Sequence, residues 1–76
     1  MYYIAYDKDN KSFYATQDIK LGVFVNGKLF DFAEESFAID FAEEFTRNLN
    51  STDHMCITVH YCLKRDRYMV TTGSNI

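Results

Sequence analysis

The chain has 76 residues, a formal net charge of −3 at pH 7, 47% hydrophobic residues and 17% aromatic residues. Seven Phe and six Tyr are core material enough for one small domain spanning 1–76, and they exclude intrinsic disorder. No apolar run reaches the ~18 residues of a membrane span, and two cysteines cannot build a disulfide scaffold, so the composition reads as a cytoplasmic protein without membrane association.

Residues 2–6 are aromatic and aliphatic, Asp7-Lys8-Asp9-Asn10 supplies turn chemistry, and residues 12–16 resume the pattern, which predicts a β-hairpin. Residues 17–20 form a polar connection. Residues 21–25 and 28–32 are hydrophobic and flank Asn26-Gly27. Asn and Gly both accept the positive φ of a type I′ turn, so this pattern predicts a second hairpin.

The period then changes. Phe37, Phe41 and Phe45 recur at i, i+4 and i+8 with Ala38, Ala42 and Leu49 beside them, which predicts one apolar helical stripe packed on a sheet. Acids sit early in this helix and Arg47 sits late, in accord with the helix dipole. Residues 48–53 end it. Residues 55–63 and 67–72 are strongly β and flank a Lys64-Arg65-Asp66 turn, a third hairpin. The order hairpin, hairpin, helix, hairpin predicts an α+β domain: an antiparallel sheet of five or six short strands with one amphipathic helix on one face. Phe37, Phe41 and Phe45 are expected under that sheet with Ile57, Val59 and Leu63.

The residues 54–62 read His-Met-Cys-Ile-Thr-Val-His-Tyr-Cys. Alternate residues of a strand share a face, so 55, 57, 59, 61 and 63 make a core face, while His54, Cys56, Thr58, His60 and Cys62 share the other. His54, Cys56, His60 and Cys62 are zinc ligands by type, yet Cys56 and His60 stand ~13 Å apart on an extended strand. Zinc holds its ligands at ~2.0–2.3 Å. One strand cannot close such a site, and the expectation is no metal and no cofactor, with Cys acting as a small hydrophobe. Cys56, Thr58, Cys62 and the tyrosines of the first strands leave the outer sheet face neither charged nor greasy. That face is expected to carry a homodimer contact or a partner.

Enzymatic chemistry is not expected. No Gly-rich loop, metalloprotease helix or nucleophile elbow is present, and adjacent carboxylates such as Glu34/Glu35 and Glu43/Glu44 point apart on a helix. Direct nucleic-acid binding would rest on the basic tip Lys64, Arg65 and Arg67 with exposed tyrosines as stacking platforms; the net negative charge opposes it.

The charge is segregated: between 31 and 44 stand Asp31, Glu34, Glu35, Asp40, Glu43 and Glu44 without a base. A surface of that kind engages a larger basic protein or nucleoprotein complex as a nucleic-acid backbone would, without cleft or cofactor. In size and charge the chain resembles, as a class, phage-encoded inhibitors of host defence, including anti-restriction and anti-CRISPR proteins. That resemblance implies an inhibitor of a nucleic-acid-handling complex acting through these six acids. The alternatives are a small nucleic-acid-binding domain led by the basic tip, and a structural subunit that self-associates.

Overall fold

A computed structural model describes residues 1–51 and 55–74. Strands β1 (Tyr2–Asp7) and β2 (Ser12–Thr16) form the first hairpin, in the register Ile4↔Ala15 and Tyr6↔Phe13. Its loop is built by Asp7, whose Oδ1 accepts from the Asp9 and Asn10 amides at 3.0 and 3.4 Å and whose Oδ2 accepts from Asn10 Nδ2 at 2.7 Å. These contacts, the Asn10 side chain foremost, hold the Asp7 carboxyl below its ordinary pKa.

Residues 19–21 form a 3₁₀ turn capped by Asp18, whose carboxylate accepts from the Lys20 amide. Strands β3 (Phe24–Val25) and β4 (Lys28–Leu29) then flank Asn26-Gly27, which adopt φ of +51° and +83° as the Asn-Gly signal requires. After Phe30 the chain enters β5 (Asp31–Phe32). Helix α1 (Glu35–Asn50) follows, and β6 (Met55–Cys62) and β7 (Arg67–Ser74) form the last hairpin.

The α+β class is as expected, but the strands divide into two sheets instead of one: β2-β1-β5 and β4-β3-β7-β6. Two local events cause the division. The segment expected to be one strand over 21–25 is pinned at its start to β1, through an Ala5↔Gly22 bridge and a Val23 amide bond to the Ile4 carbonyl at 2.8 Å. Only Phe24 and Val25 then continue, and they pair in parallel with Met69 and Val70 of β7. The second half of the expected hairpin splits likewise, because β4 stays with β3 while β5 crosses to pair with Tyr2 and Tyr3. Gly22 sits at this seam: a Cβ there would lie 2.9 Å from Leu29 Cδ1 and 3.4 Å from Tyr3 Cβ. A side chain here would displace the Leu29 tip and crowd the Ile19 carbonyl at 3.3 Å, so glycine suits this close approach.

Ile4, Ala5, Phe13, Val23, Val25, Ala38, Ala42, Phe45 and Val70 are buried. Helix α1 presents Ala38, Ala42 and Phe45 inward, with Phe41 and Leu49 half-buried beside them. The small alanines bring the helix axis close to β1 and β2. Thr46 fixes the contact: its Oγ1 accepts from the Phe13 amide at 2.8 Å and donates to the Ala42 carbonyl at 2.9 Å. Rings run unbroken from one sheet to the other. Phe30 and Phe32 meet Phe41, which contacts Phe45 at 4.5 Å; Phe13, Tyr6, Tyr68 and Tyr61 continue the series at 5.0–5.3 Å. Such tilted and edge contacts are the preferred aromatic geometries.

Three residues expected in the core lie outside it: Phe37 is 63% exposed, Tyr61 45% and Leu63 88%. With ~100° per residue, a buried face centred on Ala38, Ala42, Phe45 and Leu49 leaves Phe37 at its margin. Leu63 opens the turn after β6 and extends past the sheet. Ile57 and Val59 do pack against the core, half-buried.

Candidate interaction surface

Asp31, Glu34, Glu35, Asp40, Glu43 and Glu44 are all exposed. Asp31 lies on β5, the strand that leads into the helix. Glu34 is the N-cap of α1, in extended backbone, with its carbonyl accepting from the Ala38 amide at 3.3 Å. Glu35 opens the first turn, where exposed amides and the positive end of the dipole favour a carboxylate. Asp40, Glu43 and Glu44 fall opposite the buried Ala38–Ala42–Phe45 stripe, around Arg47.

Apolar groups interrupt this acidic face. Phe37 stands three residues after Glu34, three before Asp40 and seven before Glu44, on the same side of the helix. Ile39, 40% exposed, lies on the other flank, next to Glu35 and Glu43. The stripe rule assigned Phe37 to the core and so missed it as a surface residue.

The basic tip is folded back on the protein. The Arg65 and Arg67 guanidinium groups lie 5.0 and 4.9 Å from the centre of the Phe24 ring, and Arg67 Nη1 donates to the Gly22 carbonyl at 3.4 Å. Cation–π contact of this kind stabilises the turn against β3. Lys64 is exposed and Arg67 is half-buried.

Arg67 also borders a cavity of about 170 Å³ lined by Tyr6, Tyr14, Lys20, Tyr61, Asp66 and Tyr68, together with Leu21. Within it the Tyr61 hydroxyl donates to Asp66 Oδ1. That carboxylate, by accepting the phenol proton, raises the Tyr61 pKa above its ordinary value. Four tyrosines, from β1, β2, β6 and β7, thus line one cavity with Arg67, side chains that no local pattern linked.

The His/Cys strand offers no metal centre among the described residues, where no group of three His, Cys, Asp or Glu comes together. Cys56 and His60 are exposed, Cys62 is half-buried, and both thiols are free. Their register partners are Gly73, Met69 and Arg67, which contribute no fitting ligand. His54 lies outside the described residues. The outer face expected to join Cys56, Thr58 and Cys62 with tyrosines of the first strands is divided between the two sheets, since Tyr3 and Tyr14 belong to the β1–β2 hairpin. Comparison with protein families, curated proteins and solved structures finds no match for this chain.

Proposed function

We propose that the chain is a small non-enzymatic interaction module of the cytoplasm that inhibits a nucleic-acid-handling complex through the acidic face of α1. The observation that supports this reading is Phe37, 63% exposed amid Glu34, Asp40 and Glu44. An exposed aromatic costs solvation in the free protein. It becomes an anchor when a partner buries it, and surrounding charges then set orientation and specificity.

Charge density supports the nature of the partner. From Glu34 to Glu44 the helix advances ~15 Å, and five carboxylates lie along it. That is about one charge per 3–4 Å, close to the ~3.4 Å per phosphate of a single nucleic-acid strand. Glu34, Asp40 and Glu44 lie on the Phe37 flank and Glu35 and Glu43 on the Ile39 flank. A Lys/Arg-lined groove made for phosphates therefore meets an acidic surface of similar axial charge density that wraps the helix, and its long-range field would speed encounter.

The test is DNA cleavage by a panel of guide-RNA-directed nucleases and restriction enzymes in the presence of the protein. The wild type should inhibit at least one of them. Reversal of Glu34, Glu35, Asp40 and Glu43 to Lys should abolish that inhibition, and Phe37→Ala should weaken it, both with melting temperatures nearly unchanged. Full inhibition by the reversed variant, or none by the wild type across the panel, refutes the proposal.

A second reading is supported by the tyrosine-lined cavity, where Lys20 and Arg67 stand among four phenol rings. Bases stack on such rings while cations take phosphate. In a chain of net charge −3 this is a contact for one or two nucleotides of a single strand, without an extended basic groove. A mobility shift with single-stranded DNA and RNA at low salt tests it, and Arg67→Ala should remove the shift.

A further inference from the structure

Strand β6 ends its sheet. In the order β4-β3-β7-β6 one edge is hydrogen-bonded to β7, and no described strand pairs with the other. Edge strands expose a row of unpaired amides and carbonyls, and proteins blunt them by shortness, by charge or by Pro and bulges. The other outer strands follow this rule. Strands β4 and β5 have two residues each, and β2 lies against α1 through the Phe13–Thr46 bond. Strand β6 does not. It is eight residues long, and Met-Cys-Ile-Thr-Val-His-Tyr-Cys contains no Lys, Arg, Asp, Glu, Pro or Gly.

The core also stops short of this edge. Val59 faces Val70 across the β6–β7 pair, yet Val70 is 1% exposed while Val59 is half-buried. Ile57 is half-buried too, and Tyr61, next on the same side of the strand, is 45% exposed. An apolar row therefore lines the open edge, on the side where the sheet packs against the rest of the molecule.

We propose that this edge pairs with the same edge of a second copy, antiparallel across a twofold axis, so that two four-stranded sheets become one. The strand suits itself as a partner. With Val59 opposite its own counterpart, Ile57 meets Tyr61 twice; with Thr58 opposite its counterpart, Ile57 meets Val59 twice. Either register places core-side residues on core-side residues, as the pleat demands. Neither apposes like charges, because β6 carries no formal charge, whereas its host is a net anion. Such isologous pairing is the commonest symmetry for small soluble proteins. The contact lies at the strand edge and leaves the outer face of the sheet open.

Light scattering under reducing conditions from micromolar to millimolar chain concentration reads the association. The mass should rise from 8.9 kDa towards twice that value. In Thr58→Lys/His60→Lys, exposed positions place lysines opposite each other in either register, and the mass should stay at the monomer value with an unchanged circular dichroism spectrum. Mixing that variant with Thr58→Glu/His60→Glu should restore the doubled mass. Thr71→Lys, on the outer face of the inner strand β7, should still dimerise. Hydrogen exchange of the wild type should show alternate amides of β6 gaining protection as concentration rises. A constant mass of 8.9 kDa in the wild type overturns the proposal. So does a dimer that survives the lysine pair, a dimer lost in Thr71→Lys, or β6 amides whose exchange ignores concentration.

Discussion

Asn26 and Thr72 clasp each other: Asn26 Oδ1 accepts from the Thr72 amide at 2.9 Å, and Asn26 Nδ2 donates to Thr72 Oγ1 at 2.6 Å. The Asn26 amide also donates to the Val70 carbonyl at 2.8 Å. One turn residue thus holds β3 beside β7, the parallel pair on which the second sheet depends. Asn26→Gly keeps the positive φ and removes only the side-chain bonds. Chemical denaturation should show a loss of about 1–2 kcal/mol, as for two exposed neutral hydrogen bonds. Asn26→Asp retains the acceptor and should lose roughly half as much. A melt of Asn26→Gly unchanged from wild type would mean that the clasp adds nothing to the turn.

What the sequence disclosed follows from how local each determinant is. Asn26-Gly27 was legible because positive φ is a property of those two residues alone. The helix was legible because a 3.6-residue period is written along a single segment. The parallel β3–β7 pair was not, since it joins residues more than forty positions apart through an asparagine already accounted for as a turn former. The split into two sheets follows from β5 crossing to β1 and β3 to β7, partners that no local pattern names. The acidic residues were legible as a surface because charged groups seldom bury. Phe37 was misplaced because Ala38 and Phe37 compete for the same face by type, and only packing against β1 and β2 decides the phase.

That phase can be tested by comparing two phenylalanines one turn apart. Phe41 touches Phe30, Phe32 and Phe45 at centroid distances of 5.5, 5.3 and 4.5 Å, whereas Phe37 is 63% exposed. Phe41→Ala should cost about 3 kcal/mol, the lower end of the range for core aromatics because the ring is half-buried. For a chain of this size that is a large fraction of a total of roughly 4–11 kcal/mol. Phe37→Ala should shift stability by no more than about 0.5 kcal/mol. Equal losses in urea titrations of the two variants would contradict the helix orientation.

Thr46 offers a test of the joint between helix and sheet. Its hydroxyl is both acceptor for the Phe13 amide and donor to the Ala42 carbonyl, in a part-buried setting. Thr46→Val preserves shape and strands the Phe13 amide without a partner, which should cost about 1–3 kcal/mol. Thr46→Ser keeps the hydroxyl and should recover most of that loss. In hydrogen exchange the Phe13 amide should be protected in wild type and in Thr46→Ser, and exchange quickly in Thr46→Val. Persistent protection in the valine variant would show that another group satisfies this amide.

Tyr61 and Asp66 give the molecule a signature at alkaline pH. The Asp66 carboxylate accepts the Tyr61 phenol proton, which raises the Tyr61 pKa above the ordinary phenol value of about 10. The folded chain therefore holds that proton more tightly than the unfolded chain does. By linkage, the contact stabilises the fold at pH values below the ordinary phenol pKa, and the stabilisation is lost as pH rises through the raised one. Both side chains are exposed, so water screens the pair and the effect on melting should be small. The ionisation itself is the sharper readout. In an NMR titration of the tyrosine ring carbons, Tyr61 should ionise at higher pH in wild type than in Asp66→Asn, where the acceptor charge is gone. Asp66 adopts φ of +52°, a conformation that Asn tolerates at least as well, so this substitution leaves the turn intact. A Tyr61 titration that coincides in the two proteins would rule out the hydrogen bond as the cause.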